Sequence, residues 1–146
     1  MSETESAAAE TVKLSFPASP EWLALARTTG AAIASRWAFT YDEIADLRLA
    51  IDELCLTLIE PGSVERLEML YALAGDAITV TGTAHGTSPS PSPVNHKEAT
   101  DPTGSILGAV DLSGRILDAL VDSHGSEDGS GSRRAWLTKQ RSVARA

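Results

Sequence analysis

One segment constrains the fold more than any other: a capped helix that starts at Thr40 and stops at Pro61-Gly62. Thr40 and Glu43 have the spacing of a capping box, in which the hydroxyl accepts from the backbone three residues on and the carboxylate reaches back. Phe39 and Ile44 stand at the two positions of a hydrophobic staple. Ile44, Leu47, Ile51, Leu54 and Leu58 then fall on one stripe at helical spacing. Asp42, Asp46 and Arg48 occupy the opposite flank.

The neighbouring segments supply a sheet. Residues 12–16 alternate, with Val12, Leu14 and Phe16 on one side, and predict a short strand stopped by Pro17. Ser19-Pro20 is a helix start, and Trp22, Leu25, Ala26, Thr29, Ile33 and Trp37 follow as its apolar stripe. Leu67, Met69, Tyr71 and Leu73, the turn Gly75-Asp76, then Ile78 and Val80 among threonines predict an antiparallel hairpin. Residues 86–104 hold four of the seven prolines and predict a flexible loop. Ile106, Leu107, Val110, Leu112, Ile116, Leu117, Leu120 and Val121 predict a further helix with a break near Ser113-Gly114. Residues 123–132 predict Gly-rich turn, and residues 134–143 a final strand. The expected fold is α+β: a two-layer sandwich, helices on one face of a mainly antiparallel sheet. Residues 1–11 are expected as a disordered leader, 12–143 as one domain, and 144–146 as a tail.

With 146 residues the chain is long enough for one ordinary core and too short for two. Net charge is −8, but all five basic residues of 133–146 lie beyond the last acid, which leaves residues 1–132 at −13. Such a body repels phosphates, so direct nucleic-acid binding is not expected, and a basic protein partner fits better. The +5 end is expected as a solvated strand edge and tail. Cys55 is the one cysteine, so neither an internal disulfide nor a Cys-based zinc site is expected. No apolar run has the length of a membrane span, and residues 1–10 carry three glutamates without a basic residue, unlike a secretory signal. A cytoplasmic protein is expected.

Few residues stand out as chemistry. Glu53 and Thr57 are four apart and share a face of the capped helix. Glu53 is either a carboxylate aimed into a pocket, where a general base is useful, or an edge charge that meets water or an arginine. His85, His96 and His124 lack metal-ligand spacing and are expected in loops; no metal site is expected. Cys55 is expected in the core, and Trp22, Trp37 and Trp136 as packing residues. No phosphate-cradling strand–loop–helix element is present.

Residues 44–59, IADLRLAIDELCLTLI, resemble the N-box helix of anti-sigma factors of the serine-protein kinase type, in the histidine-kinase-like ATPase superfamily, and most of all the actinobacterial anti-sigma-F factors. The element order from about 12 to 141 agrees. The resemblance implies helices layered on one antiparallel sheet, a homodimer, and an alternative sigma factor sequestered until an anti-anti-sigma antagonist releases it, in a stress response. It also implies ATP with magnesium and phosphorylation of the antagonist on serine. The site residues carry over unevenly. Glu53 matches the glutamate that would be the general base, and Thr57 falls where an asparagine holds magnesium. Gly82 stands where an aspartate reads adenine, Ala84 replaces a glycine, and Gly86 fits. Glu53, Thr57 and Gly86 are therefore the cofactor candidates, for weak ATP and magnesium binding without efficient kinase activity. An active kinase is the alternative.

Overall fold

The structure, a computed structural model, describes residues 10–59, 64–86, 105–129 and 132–142. Five strands form one antiparallel sheet in the order β1-β2-β3-β5-β4: β1 (Glu10–Pro17), β2 (Arg66–Ala74), β3 (Ala77–His85), β4 (Ser123–Gly129) and β5 (Ser132–Gln140). Three helices, α1 (Leu23–Arg36), α2 (Tyr41–Leu58) and α3 (Ser105–Leu120), pack on the sheet. The α+β sandwich expected from the sequence is the fold observed.

Both bonds of the α2 capping box are made: Glu43 N–H donates to Thr40 Oγ1 at 3.1 Å, and Thr40 N–H donates to Glu43 Oε1 at 2.7 Å. Leu47, Ile51, Leu54 and Leu58 of its stripe are buried, joined by Ala50 and Cys55. α2 packs on α1, α3, β3 and β5, so this helix is the hub of the apolar layer. Leu67, Met69, Tyr71 and Leu73 of β2 and Ile78, Val80 and Ala84 of β3 meet it from the sheet. The hairpin turn has Gly75 at φ +62, the backbone that a two-residue turn with glycine first demands.

Several expectations give way. β1 begins at Glu10, two residues inside the expected leader, because Glu10 and Thr11 continue the ladder to Leu73 and Ala72. The stripe of α1 is rotated: Leu23, Ala26, Gly30 and Ala34 are buried, while Trp22 and Leu25 are largely exposed. Small residues win because α1 lies close against α2, where a Cβ on Gly30 would collide with Ile51 Cδ1. α3 runs unbroken through Ser113-Gly114, since the Ser113 hydroxyl bonds a side chain on α2 instead of competing for its own backbone.

The expected turn at 123–132 is largely the edge strand β4, paired with β5 from Ser123↔Thr138 to Gly129↔Ser132. Its glycine has a packing role: a Cβ on Gly125 would lie 2.8 Å from Trp136 Cζ2, so the indole needs the bare backbone. The described basic residues of the last strand stay partly exposed, as expected, but each has partners. Arg133 donates to Asp128 Oδ1 and the Thr57 carbonyl, Arg134 pairs with Glu127, Lys139 donates to the Leu120 carbonyl, and Arg141 donates to the Trp37 carbonyl and pairs with Asp76. His85 and His124 lie on strands β3 and β4, not in loops. The expected leader through residue 9, the loop over 87–104 with His96, and the tail at 144–146 lie outside the described residues.

Candidate functional site

The site expected from the sequence centres on the second half of α2. Glu53 is half-buried and accepts a hydrogen bond from Ser113 Oγ of α3 at 3.0 Å. Thr57, one turn on, donates its hydroxyl to the Glu53 carbonyl at 2.8 Å. Back-bonding of this kind is the ordinary habit of a helical threonine. It keeps Oγ1 against the helix wall, where an asparagine amide would extend further. Arg133 of β5 closes the end of the helix, its Nη1 donating to the Thr57 carbonyl at 3.3 Å. That carbonyl is one of the four a helix end leaves unpaired.

Beside these residues lies a cavity of about 200 Å³. Leu54, Leu117 and Ala135 make its apolar walls, and Thr57, His124 and Ser126 its polar ones. His124 is held by Asp118 of α3, Nε2 to Oδ1 at 2.7 Å. Pockets that enclose drug-sized ligands run from roughly 300 to 1,000 Å³, so this one is small, and it is half open to solvent.

The structure keeps Glu53 one turn from Thr57 and bonds it to Ser113, which with Thr57 lines this cavity, but leaves Gly86 apart. Gly86 is exposed, follows the last residue of β3, and does not line the cavity. Gly82, the position of the adenine-reading aspartate in the resemblance, is buried under α2. A Cβ there would lie 2.7 Å from Leu58 Cδ1 and 3.1 Å from Met69 Sδ. The space an aspartate needs is filled by a leucine of the very helix that carries Glu53. The described residues therefore do not fit an ATP–magnesium complex held in the way the resemblance implies.

The chain is similar in sequence to proteins named Serine-protein kinase RsbW. It is 32% identical over 84 residues to the one from Bacillus subtilis (strain 168), 47% of this chain and 52% of that protein. It is 30% identical over 97 residues to that of Bacillus licheniformis, 56% of this chain and 61% of that protein. With that of Bacillus cereus (strain B4264) the identity is 29% over 82 residues, 54% of this chain and 51% of that protein. These relatives carry the serine-protein kinase name of the type that the α2 segment resembles. No family model matches. The chain spans about half the length of the RsbW proteins it matches.

Ser113, Asp118 with His124, and Arg133 belong to this region, and the sequence reading missed all of them. Ser113 looked like a helix break, and β4 looked like turn, so nothing marked a second wall opposite α2. Cys55, by contrast, is where the sequence put it, in the core, with Sγ 3.9 Å from Met69 Sδ. Burial pushes its thiol up to about 12, and the nearby Asp52 charge adds to this. Such a thiol is not a nucleophile at neutral pH.

Proposed function

We propose that the chain is an anti-sigma factor: a cytoplasmic homodimer that sequesters an alternative sigma factor, blocks its transcription initiation, and is released by an anti-anti-sigma antagonist. The similarity to RsbW proteins supports the class. The contact of Leu58 with Gly82 carries the preference for binding over catalysis, because the position where the resemblance has an adenine-reading aspartate holds no carboxylate and is packed against a leucine. The charge of residues 1–132, −13, suits a partner with a basic surface. Among the described residues no helix is long and apolar enough to cross a membrane. The test is co-purification with the sigma factors of the host and in vitro transcription. Sequestration predicts a complex at micromolar concentration and loss of transcripts from one sigma factor's promoters. Free passage of every sigma factor would end this reading.

A second reading, an ATP-dependent serine-protein kinase acting on the antagonist, is favoured by one observation. Glu53 is half-buried, and its carboxylate is oriented by Ser113, a residue of the cavity wall, as a general base would be. Incubation with labelled ATP and a candidate antagonist decides between the two. Label on the antagonist that disappears with Glu53→Ala would make the chain a kinase; none is expected.

A further inference from the structure

We propose that the outer stripe of α2 is the seat of a basic amphipathic helix from a partner protein. α2 carries apolar residues on two sides. One set is the core stripe described above. The other runs along the solvent side through Tyr41, Ala45, Leu49, Asp52 and Leu56, at the three- and four-residue spacing that keeps to one face of a helix. Tyr41 is 85% exposed, Leu49 56% and Leu56 52%. One exposed leucine means little. Large apolar side chains repeated along one exposed stripe form a patch, and patches of this kind mark places where something binds. Among the described elements α1, α3, β3 and β5 pack on α2, and none covers this side.

The charges beside the stripe decide what kind of occupant fits. α2 holds five acids, Asp42, Glu43, Asp46, Asp52 and Glu53, against one base, Arg48. A second copy would set the same excess of acid against itself. The phosphates of a nucleic acid or of an anionic lipid surface are repelled in the same way. A helix with lysine or arginine beside its apolar seam is attracted. The one charged position within the stripe does not oppose this. Asp52 is bound by Arg27 of α1, Nη1 to Oδ1 at 2.8 Å, so its charge enters a contact already paired. Glu53 beside it accepts from Ser113 of α3, and Leu112, next to Ser113, is exposed as well and extends the apolar surface on that side.

The dimensions suit a helix. From Tyr41 to Leu56 the axis of α2 rises about 22 Å, which four turns of a partner helix cover. Ala45, Leu49, Asp52 and Leu56 repeat at the spacing of a coiled-coil seam. A partner lying nearly along α2 therefore sets its own apolar residues, three and four apart, into the gaps beside Leu49 and Leu56. Such anchors two turns apart are the usual way an amphipathic helix is held.

This inference deepens the proposed function, in which the partner is the sigma factor, and rests on that reading for the partner's identity alone. A synthetic peptide of about 18 residues, with leucines three and four apart and lysines on both flanks, probes the stripe without a sigma factor. Fluorescence anisotropy of the labelled peptide with the full chain is expected to give a Kd of about 1–100 μM. Leu49→Gln combined with Leu56→Gln should weaken it at least roughly tenfold, with the circular dichroism of the folded chain retained. Should that pair not fold, each substitution alone decides, by a loss of about threefold or more. Leu25→Gln, at an exposed leucine of α1 away from the stripe, should change nothing. A peptide with glutamates in place of the lysines should not bind. No binding of the lysine peptide, equal binding of the glutamate peptide, or an equal loss with Leu25→Gln would overturn the proposal. The double variant is also tried on a purified sigma factor that the unaltered chain binds. Undiminished binding there overturns the proposal and leaves the anti-sigma reading intact. A leucine-dependent peptide complex, with no sigma factor bound, supports the stripe as a docking surface and removes the anti-sigma reading instead.

Discussion

Gly82 ties the fold to the function through a single absent atom. In β3 it faces Leu58 and Met69 at distances where a Cβ would force those side chains to move. Gly82→Asp, which restores the residue type the resemblance calls for, is therefore expected to disrupt packing rather than to restore nucleotide binding. Overpacking costs about 1–3 kcal/mol, and a carboxylate placed there without a partner adds about 1–3 kcal/mol more. Urea denaturation reads the loss, and nucleotide titration of whatever remains folded should show no gain. Sequence could reveal that Gly82 replaced an aspartate. It could not reveal why, because the reason is the approach of α2 from above. Glu53 has the same history: its spacing with Thr57 was legible, but the Ser113 hydroxyl that orients it lies 60 residues away.

At the scale of elements, two exchanges of opposite kind are both expected to stabilise. α1 ends in a Schellman closure: Phe39 N–H donates to the Ala34 carbonyl at 3.1 Å, and Ala38 N–H to the Ser35 carbonyl at 3.4 Å. The residue at the bend, Ala38, has φ +64, a conformation that favours glycine. Ala38→Gly should gain about 1 kcal/mol from relief of the left-handed backbone. Gly114 is the converse, a glycine inside α3 with nothing within 4 Å of where a Cβ would go. Gly114→Ala should gain about 0.5–1 kcal/mol. Thermal melts of the two variants and of their combination check both values, and additivity is expected because the sites share no partner.

What the sequence revealed of the elements follows from the same local physics. α2 and the β2–β3 hairpin were legible because cap, stripe, alternation and turn glycine all sit within each segment. β4 was not, since SHGSEDG carries almost no strand propensity. It is a strand because β5 offers it a ladder and Trp136 covers its glycine. The rotation of the α1 stripe was hidden likewise, for the choice between Leu25 and Gly30 depends on how near α2 comes.

For the molecule as a whole, alkaline pH is the condition that should loosen it. The Cys55 thiol is pushed up to about 12 by burial, with Asp52 adding to the shift. Burial also raises the Tyr71 phenol, whose hydroxyl donates to the Ala26 carbonyl at 2.7 Å. An unfolded chain ionises its thiol near pH 8.5 and its phenol near pH 10, while the folded chain keeps both protons. The unfolded state then binds fewer protons, so stability is full below about pH 8.5 and falls as pH rises toward 12. Denaturation midpoints at a series of pH values should decline over this window. Cys55→Ala should flatten the early part of the decline, and parallel profiles would assign it elsewhere.

The strand order carries a consequence for how the chain is made. β5 is synthesised after every other described element, yet in the sheet it lies between β3 and β4. While a nascent chain lacks residues 132–140, β1, β2 and β3 can already close their ladder, but β4 has no neighbour to pair with. The open edge of β3 and the upper flank of α2 stay bare for that interval. Vectorial synthesis thus leaves a three-stranded intermediate waiting for its insert, and the cavity beside Thr57, which needs His124, Ser126 and Ala135, forms only once β5 is in place.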